Sequence, residues 1–168
     1  MLRIFQVETD EHLHQLKELF WEYLQWANAM VVQEFGVSFD IEAMLVADMA
    51  KLNIFSPPEG RLLLAEWQEQ MAGIAGLRRL DASTAEVKRM YVRPMARGQG
   101  IGRALLQSLI EEARRMGYQR VRLDSARFMT AAHALYRSAG FREIEPYPGS
   151  EIPEAFQSNW IFMELLLT

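Results

Sequence analysis

The chain contains no cysteine, which excludes disulfide bonds, thiolate metal sites and a cysteine nucleophile. A chain without thiols fits a reducing compartment, so we expect a cytoplasmic protein. Long apolar runs are also missing, because no stretch approaches the roughly 18 residues that a membrane-spanning helix needs. The segment Met1–Glu8 lacks a basic start followed by an apolar stretch, so we expect no signal peptide and no membrane association.

Apolar residues are nevertheless plentiful. They make up 50% of the 168 residues, and 11% are aromatic, which argues against disorder. The length favours a single domain over residues 1–168, since domains most often span ~100–150 residues. We find no internal repeat, low-complexity tract or linker that would divide the chain.

Basic residues are scarce at both ends of the chain and concentrated between them. Residues 1–60 carry three basic and ten acidic residues, and residues 143–168 carry no basic and five acidic ones. Residues 88–142 carry twelve basic and three acidic residues. A basic segment inside an acidic chain indicates one anionic ligand, and we expect no nucleic-acid partner. Solvated helix faces explain many of these arginines equally well when each is taken singly.

The spacing of apolar residues predicts an alternation of strands and helices. We expect Asp10 to cap the first helix, Ser38 or Asp40 to precede the second, and Thr130 to cap the last. A strong helical pattern over residues 101–116 ends at Gly117. The predicted strands are 3–8, 61–67, 71–79, 84–92, 119–125, 141–145 and 160–167. This order mixes hairpins with a crossover and predicts an α+β fold.

The glycine-rich segment Arg97–Arg103 lies between a predicted strand and a predicted helix. Glycines let the backbone approach a ligand, and a helix N-terminus offers free N–H groups and a positive dipole end to a phosphate. Neither nucleotide fingerprint fits, because Arg103 and Ala104 break the Walker spacing and Arg103 and Leu105 break the dinucleotide spacing. The segment predicts a different phosphate site, and the alternative is a turn that only starts a helix.

This segment resembles the R/Q-x-x-G-x-G/A pyrophosphate loop of the GNAT superfamily of acetyl-CoA-dependent N-acetyltransferases. The resemblance begins at Glu86–Pro94 and resumes at Leu135–Phe141, which is similar to the L-Y-x-x-x-G-F segment of that superfamily. It is clear over about residues 85–141, and the flanks agree in element order. It implies a mixed, mostly antiparallel central sheet with helices on both faces, and a gap between parallel strands 84–92 and 119–125.

The resemblance also implies acetyl-CoA as cosubstrate. We expect no metal, because no histidine or carboxylate cluster has metal-ligand spacing. The pantetheine arm would bond to the backbone around Met90 and Val92, and the pyrophosphate would lie on the N–H groups of residues 98–103. Met129 stands where many relatives have an asparagine that contacts the pantetheine. The implied cofactor-binding residues are Met90, Tyr91, Val92, Arg97, Gly98, Gln99, Gly100, Ile101, Gly102, Arg103 and Ala132.

Two residues are candidates for catalysis. By resemblance, Tyr136 is the general acid that protonates the CoA sulfur; a packing role is the alternative. Glu86 alternates with Lys88 and Met90 along a predicted strand, so these three should share one face, and its carboxylate could take the amine proton. An ordinary strand residue paired with Lys88 is the alternative for Glu86.

The acceptor is expected to be a primary amine of a small molecule or peptide. The acidic segments 1–60 and 143–168 favour a cationic amine, although surface solubility explains their charge equally well. Pocket candidates are Tyr147, Glu151, Trp160, Trp21, Tyr23 and Trp26. The alternative function is a catalytically weak acyl-CoA-binding sensor module. A homodimer is left open.

Overall fold

A seven-stranded sheet forms the centre of the molecule, and the computed structural model describes it within residues 1–167. The strands are β1 (Leu2–Gln6), β2 (Arg61–Trp67), β3 (Gln70–Arg79), β4 (Thr84–Val92), β5 (Arg120–Ala126), β6 (Arg142–Ile144) and β7 (Trp160–Leu166). The helices are α1 (Asp10–Phe35), α2 (Ile41–Ala50), α3 (Ile101–Arg115) and α4 (Thr130–Ser138). Short 3₁₀ turns occupy Leu52–Phe55, Pro94–Ala96 and Glu154–Asn159.

The sheet is mixed and mostly antiparallel, as predicted. Its strand order is β1-β2-β3-β4-β5-β7-β6, and among the described strands only β4 and β5 run parallel. The connection between them is the crossover through α3, as a parallel pair requires.

Helices cover both faces of the sheet. Leu16 and Phe20 of α1 pack with Leu64 and Ile74 of the sheet, and the 3₁₀ turn after α2 adds Phe55. The opposite face is covered by α3 and by α4. Its core includes Ile101, Leu105, Leu109, Ala113, Leu123, Tyr136 and Met163. Each such leucine stabilises the fold by about 1.5–3 kcal/mol relative to an exposed one.

The parallel strands β4 and β5 separate soon after they meet. Their pairing covers residues Thr84–Glu86 of β4 against residues 120–122 of β5, and the ladder stops there. Residues 87–92 of β4 continue along β3 without β5 beside them. The predicted gap between the two strands is therefore present, and it opens toward the N-termini of α3 and α4.

A bulge in β4 changes which residues share a face. Register with β3 shifts between the pairs Gly76–Lys88 and Ile74–Tyr91, and Arg89 adopts a φ of 56°. Beyond the bulge, Met90 packs into the core on the α3 face while Tyr91 packs into the core on the α1 face. The prediction that Met90 shares a face with Glu86 and Lys88 is wrong, because one extra residue reverses the alternation.

Two predicted helix caps are also corrected. The N-cap of α1 is Thr9, whose side chain accepts a hydrogen bond from the His12 N–H, and Asp10 is the first helical residue. The N-cap of α4 is Met129, so Thr130 lies inside the helix and does not cap it. Of the two residues expected to precede α2, Ser38 and Asp40, it is Asp40 that caps the helix, with its carboxylate accepting from the Ala43 N–H.

Candidate functional site

A cavity of about 540 Å³ lies where the β4–β5 gap meets the N-termini of α3 and α4. It brings together most of the residues that the sequence pointed to. Gln99 is not among its lining residues. The predicted residues that line it are Met90, Tyr91, Val92, Arg97, Gly98, Gly100, Ile101, Gly102, Arg103, Ala132 and Tyr136.

The glycine loop presents backbone N–H groups to this cavity. Gly98 and Gly100 have φ values of 81° and 80°, a conformation that side chains with a Cβ rarely adopt. Gly100 is the N-cap of α3, and no side chain in the described chain caps this helix. The first-turn N–H groups of α3 therefore have no intrahelical partner, and they lie at the positive end of the helix dipole. This arrangement suits a phosphate group.

The two arginines of the loop are held by neighbouring groups at the cavity wall. Arg97 donates through Nε to the Val92 carbonyl at 2.9 Å, and its guanidinium lies 5.1 Å from the ring centroid of Trp26. Arg103 donates through Nη1 to the Ser138 hydroxyl at 3.1 Å, which links α3 to α4. Both add positive charge beside the loop.

Tyr136 on α4 reaches the inner end of the cavity. Its hydroxyl lies 4.0 Å from the Met90 sulfur, and its ring packs near Phe141. Burial raises the pKa of Tyr136 above its ordinary value, so the phenol stays protonated at neutral pH. A protonated hydroxyl in this position can donate to a developing anion.

A smaller inner pocket of about 170 Å³ continues past Tyr136 into the gap. Met90, Met129 and Tyr136 line both spaces, and the inner pocket extends to Asp124 and Ser125 on β5. The sequence analysis did not assign Phe128, Thr130 or Leu135 to the cofactor site, although all three line the main cavity. The signal for Leu135 was its place in the Leu135–Phe141 motif, one residue before Tyr136.

Glu86 lies apart from these spaces. Its carboxylate is fully buried, accepts from Arg78 Nε at 2.7 Å and accepts from the Tyr147 hydroxyl at 2.6 Å. It does not line the main cavity, the inner pocket or the pocket beside α1 and α2. The structure therefore does not bring Glu86 into contact with Tyr136.

A third space, of about 320 Å³, opens on the α1–α2 side of the sheet. We call it the acceptor-side pocket; Tyr23, Glu151 and Trp160 line it, as the sequence suggested. Tyr147 lies outside it, beside Glu86. Trp26 lines the main cavity and the inner pocket, and Trp21 lies in an outer groove of α1.

Four charged side chains meet at one side of the acceptor-side pocket. Lys88 Nζ lies 3.3 Å from an Asp124 oxygen and 3.9 Å from a Glu151 oxygen. Arg89 Nη2 lies 3.1 Å from Glu151 and is also paired with Asp48 at 2.8 Å. Burial alone would lower the pKa of Lys88, but Asp124, Glu86 and Glu151 raise it. Burial alone would raise the pKa of Glu151, but Lys88 and Arg89 lower it, so these groups stay charged at neutral pH.

Residues 1–167 hold no group of three or more histidines and carboxylates arranged to bind a metal ion. None of the helices in this part of the chain is both long enough and apolar enough to cross a membrane.

Comparison with known proteins gives a consistent result. Residues 13–141 match the acetyltransferase (GNAT) family. An N-acetyltransferase of Schizosaccharomyces pombe is 31% identical over 169 residues, which cover 98% of this chain and 94% of the relative. A GNAT-family acetyltransferase from Staphylococcus aureus Mu50 has a similar fold, with a TM-score of 0.76, 22% identity and 100% coverage of both chains.

The fold is also similar to that of the PaiA N-acetyltransferase from Thermoplasma acidophilum, whose structure was solved in complex with coenzyme A. The TM-score is 0.75 at 20% identity, over 99% of each chain. The family match covers more than half of the chain, and the yeast relative aligns along nearly its whole length. This chain therefore belongs to the GNAT family of N-acetyltransferases.

Proposed function

We propose that this chain transfers an acetyl group from acetyl-CoA to a primary amine of a small molecule or peptide, by direct attack. One observation carries the proposal: the start of α3, with its uncapped N–H groups, and the buried Tyr136 line the same cavity. The first suits the diphosphate of a CoA ester and the second suits its thiol end.

The predicted cofactor residues support this placement of acetyl-CoA. The pyrophosphate would bind the N–H groups of residues 98–103, between the guanidinium groups of Arg97 and Arg103. The pantetheine arm would extend along Met90–Val92, where β4 has no β5 neighbour. A peptide-like arm can form there the hydrogen bonds that a neighbouring strand would otherwise form. The coenzyme A complex of the Thermoplasma relative supports the same ligand class.

The chemistry needs few protein groups. The neutral amine attacks the thioester carbonyl, a C–N bond forms, and a backbone N–H near Met90 or Val92 stabilises the oxyanion. The C–S bond then breaks, and Tyr136 donates its proton to the thiolate that leaves. Because burial raises the pKa of Tyr136, its phenol holds this proton until the thiolate forms.

The amine proton must leave as the C–N bond forms. We propose Glu86 as its final acceptor, with ordered water carrying the proton, because Glu86 lines none of the three spaces and cannot touch the amine directly. Its charge is stabilised by Arg78, and Lys88 lies two residues further along β4.

The proposed role of Tyr136 is tested by Tyr136→Phe. We expect kcat to fall by about 100-fold, the usual range for a lost general acid, while the affinity for acetyl-CoA is unchanged. Thiol release with a panel of amines measures the rate, and calorimetric titration measures the binding.

Tyr118→Phe is the matched control, because the Tyr118 hydroxyl donates to the Glu59 carbonyl, away from the cavity. An unchanged kcat in Tyr136→Phe across the pH range would exclude Tyr136 as the acid. Tight binding of acetyl-CoA without turnover of any amine would favour the acyl-CoA-binding sensor instead.

A further inference from the structure

The acceptor-side pocket has a charge that differs from the bulk charge of the segments around it. Residues 1–60 are strongly acidic, yet the lining residues that they contribute are all uncharged. Glu22 pairs with Arg93, but Asp48 pairs with Arg89, which lines the pocket. From residues 143–168 the only charged residue in the lining is Glu151. Lys88 and Arg89 therefore meet three carboxylates, those of Asp48, Asp124 and Glu151, and without Glu151 the charges balance, which suits a zwitterion.

Apart from Tyr23 and Asn28, the rest of the pocket wall is apolar. Aliphatic and aromatic side chains come from α1, from α2, from the loop between these helices and from the segment that leads into β7. They are Leu24, Val31, Phe39, Ile41, Met44, Ile152, Phe156 and Trp160. The volume of about 320 Å³ is at the lower end of the range for small-molecule sites. A ligand with a zwitterionic group at one end and an apolar side chain at the other would match the charged and the apolar parts of this wall.

We propose that the acceptor is a free α-amino acid with an apolar side chain. Its carboxylate would bind Arg89 and Lys88, its amino group would lie beside Asp124, and its side chain would lie against Phe39 and Phe156. This inference rests on the proposed function and specifies its substrate class.

The acceptor-side pocket is continuous with the space around Tyr136. Tyr23, Lys88, Arg89, Asp124 and Trp160 line both the acceptor-side pocket and the inner pocket. The inner pocket in turn reaches Tyr136 and Met90. An amino group held beside Asp124 therefore lies on the route to the acetyl group.

Glu151 occupies the place that the acceptor carboxylate would take. Lys88, Arg89 and Asp124 are on strands and are largely buried, whereas Glu151 is on the irregular segment between β6 and β7 and its side chain is 38% exposed. Its carboxylate already satisfies Arg89 and Lys88. Binding of an amino acid would displace this side chain from the two cations.

The test compares three acceptors with the same isobutyl group. They are L-leucine, L-leucinamide, which lacks the carboxylate charge, and 3-methylbutylamine, which lacks the carboxylate altogether. We expect kcat/KM of the wild-type enzyme to be higher for L-leucine by about tenfold or more, because the other two leave Arg89 and Lys88 without an incoming partner. Glu151→Gln should lower KM for L-leucine several-fold and leave the other two unchanged.

Glu154→Gln is the matched control, since Glu154 lies in the same segment and does not line the pocket. Phe156→Ala should raise KM for L-leucine more than for L-serine, which tests the apolar wall separately. A preference for the amide or the amine, or an equal effect of Glu151→Gln on all three acceptors, would overturn the inference. If a broad panel of amines gives no thiol release while acetyl-CoA binds, the proposed function itself fails.

Discussion

Glu86 and Tyr147 form a buried hydrogen bond of 2.6 Å, and Arg78 completes the group from the neighbouring strand. Glu86→Gln removes a negative charge that Arg78 and Tyr147 surround. We expect the free energy of unfolding to fall by about 2 kcal/mol, because Arg78 loses its ion-pair partner. If Glu86 receives the amine proton through water, kcat/KM should also fall by about tenfold or more.

Denaturant titration and steady-state kinetics measure the two effects separately. Glu164→Gln is the control, because Glu164 forms a comparable partly buried pair with Arg122 at 2.8 Å and does not line the cavities. A Glu86→Gln enzyme that is less stable but keeps the wild-type kcat/KM would show that Glu86 is a structural residue alone.

At the residue scale, the sequence could predict what local motifs encode. The glycine loop and Tyr136 were identified because their neighbours along the chain carry the pattern. The meeting of Lys88, Arg89 and Asp124 with Glu151 could not be predicted, since it joins β4, β5 and a loop more than 60 residues away from β4. The partners of Glu86 depend on long-range contacts in the same way.

At the scale of elements, the two ends of α3 offer a matched pair of glycines. Gly100 and Gly117 have φ values of 80° and 84°, and a Cβ added at either would meet no atom within 4 Å. Alanine at either position should lower the free energy of unfolding by about 1 kcal/mol, because both residues have a left-handed backbone conformation. Only Gly100→Ala should also weaken acetyl-CoA binding, since its methyl group would stand between the backbone and the pyrophosphate.

Calorimetric titration of both variants with acetyl-CoA checks this expectation. Equal affinities in Gly100→Ala and Gly117→Ala would indicate that the glycine loop is only the start of a helix. Free CoA should show the same difference as acetyl-CoA, because the loop contacts the diphosphate and not the acetyl group.

The helices and strands were largely predictable, because their apolar periodicity is strong and glycines mark the ends of α3 and α4. The bulge at Arg89 was not, since no glycine or proline marks it and the alternation of β4 reads as continuous. Thr9 was missed as a cap because Asp10 beside it is an equally good capping residue. These errors shift a residue to another face or move a boundary by one position, and they leave the topology unchanged.

At the scale of the whole molecule, buried tyrosines determine the response to alkali. Burial raises the pKa of Tyr136, and burial together with the Glu86 carboxylate raises the pKa of Tyr147. Above about pH 10 the unfolded chain loses these protons while the folded chain keeps them. The free energy of unfolding should therefore fall by about 1.4 kcal/mol per pH unit for each group, and it should be steady below pH 10.

Denaturant titrations between pH 8 and 11 measure this slope. Tyr147→Phe removes one titrating phenol. The slope of unfolding free energy against pH should therefore become smaller by the contribution of one proton, about 1.4 kcal/mol per pH unit. A slope that is the same in wild type and Tyr147→Phe would contradict the assignment. Lys88 acts in the same direction, because its raised pKa gives stability that is lost as the pH rises through that value.

The short pairing of β4 with β5 divides the molecule into two blocks of strands, β1–β4 and β5–β7. Three residue pairs join them directly, at Thr84–Glu86. The backbone amides of β4 beyond Glu86 that point into the gap lack a strand partner there, so we expect them to exchange hydrogen with solvent faster than the amides of β3. Bound acetyl-CoA should slow that exchange, and the cosubstrate would then act as a removable eighth strand that locks the two blocks together.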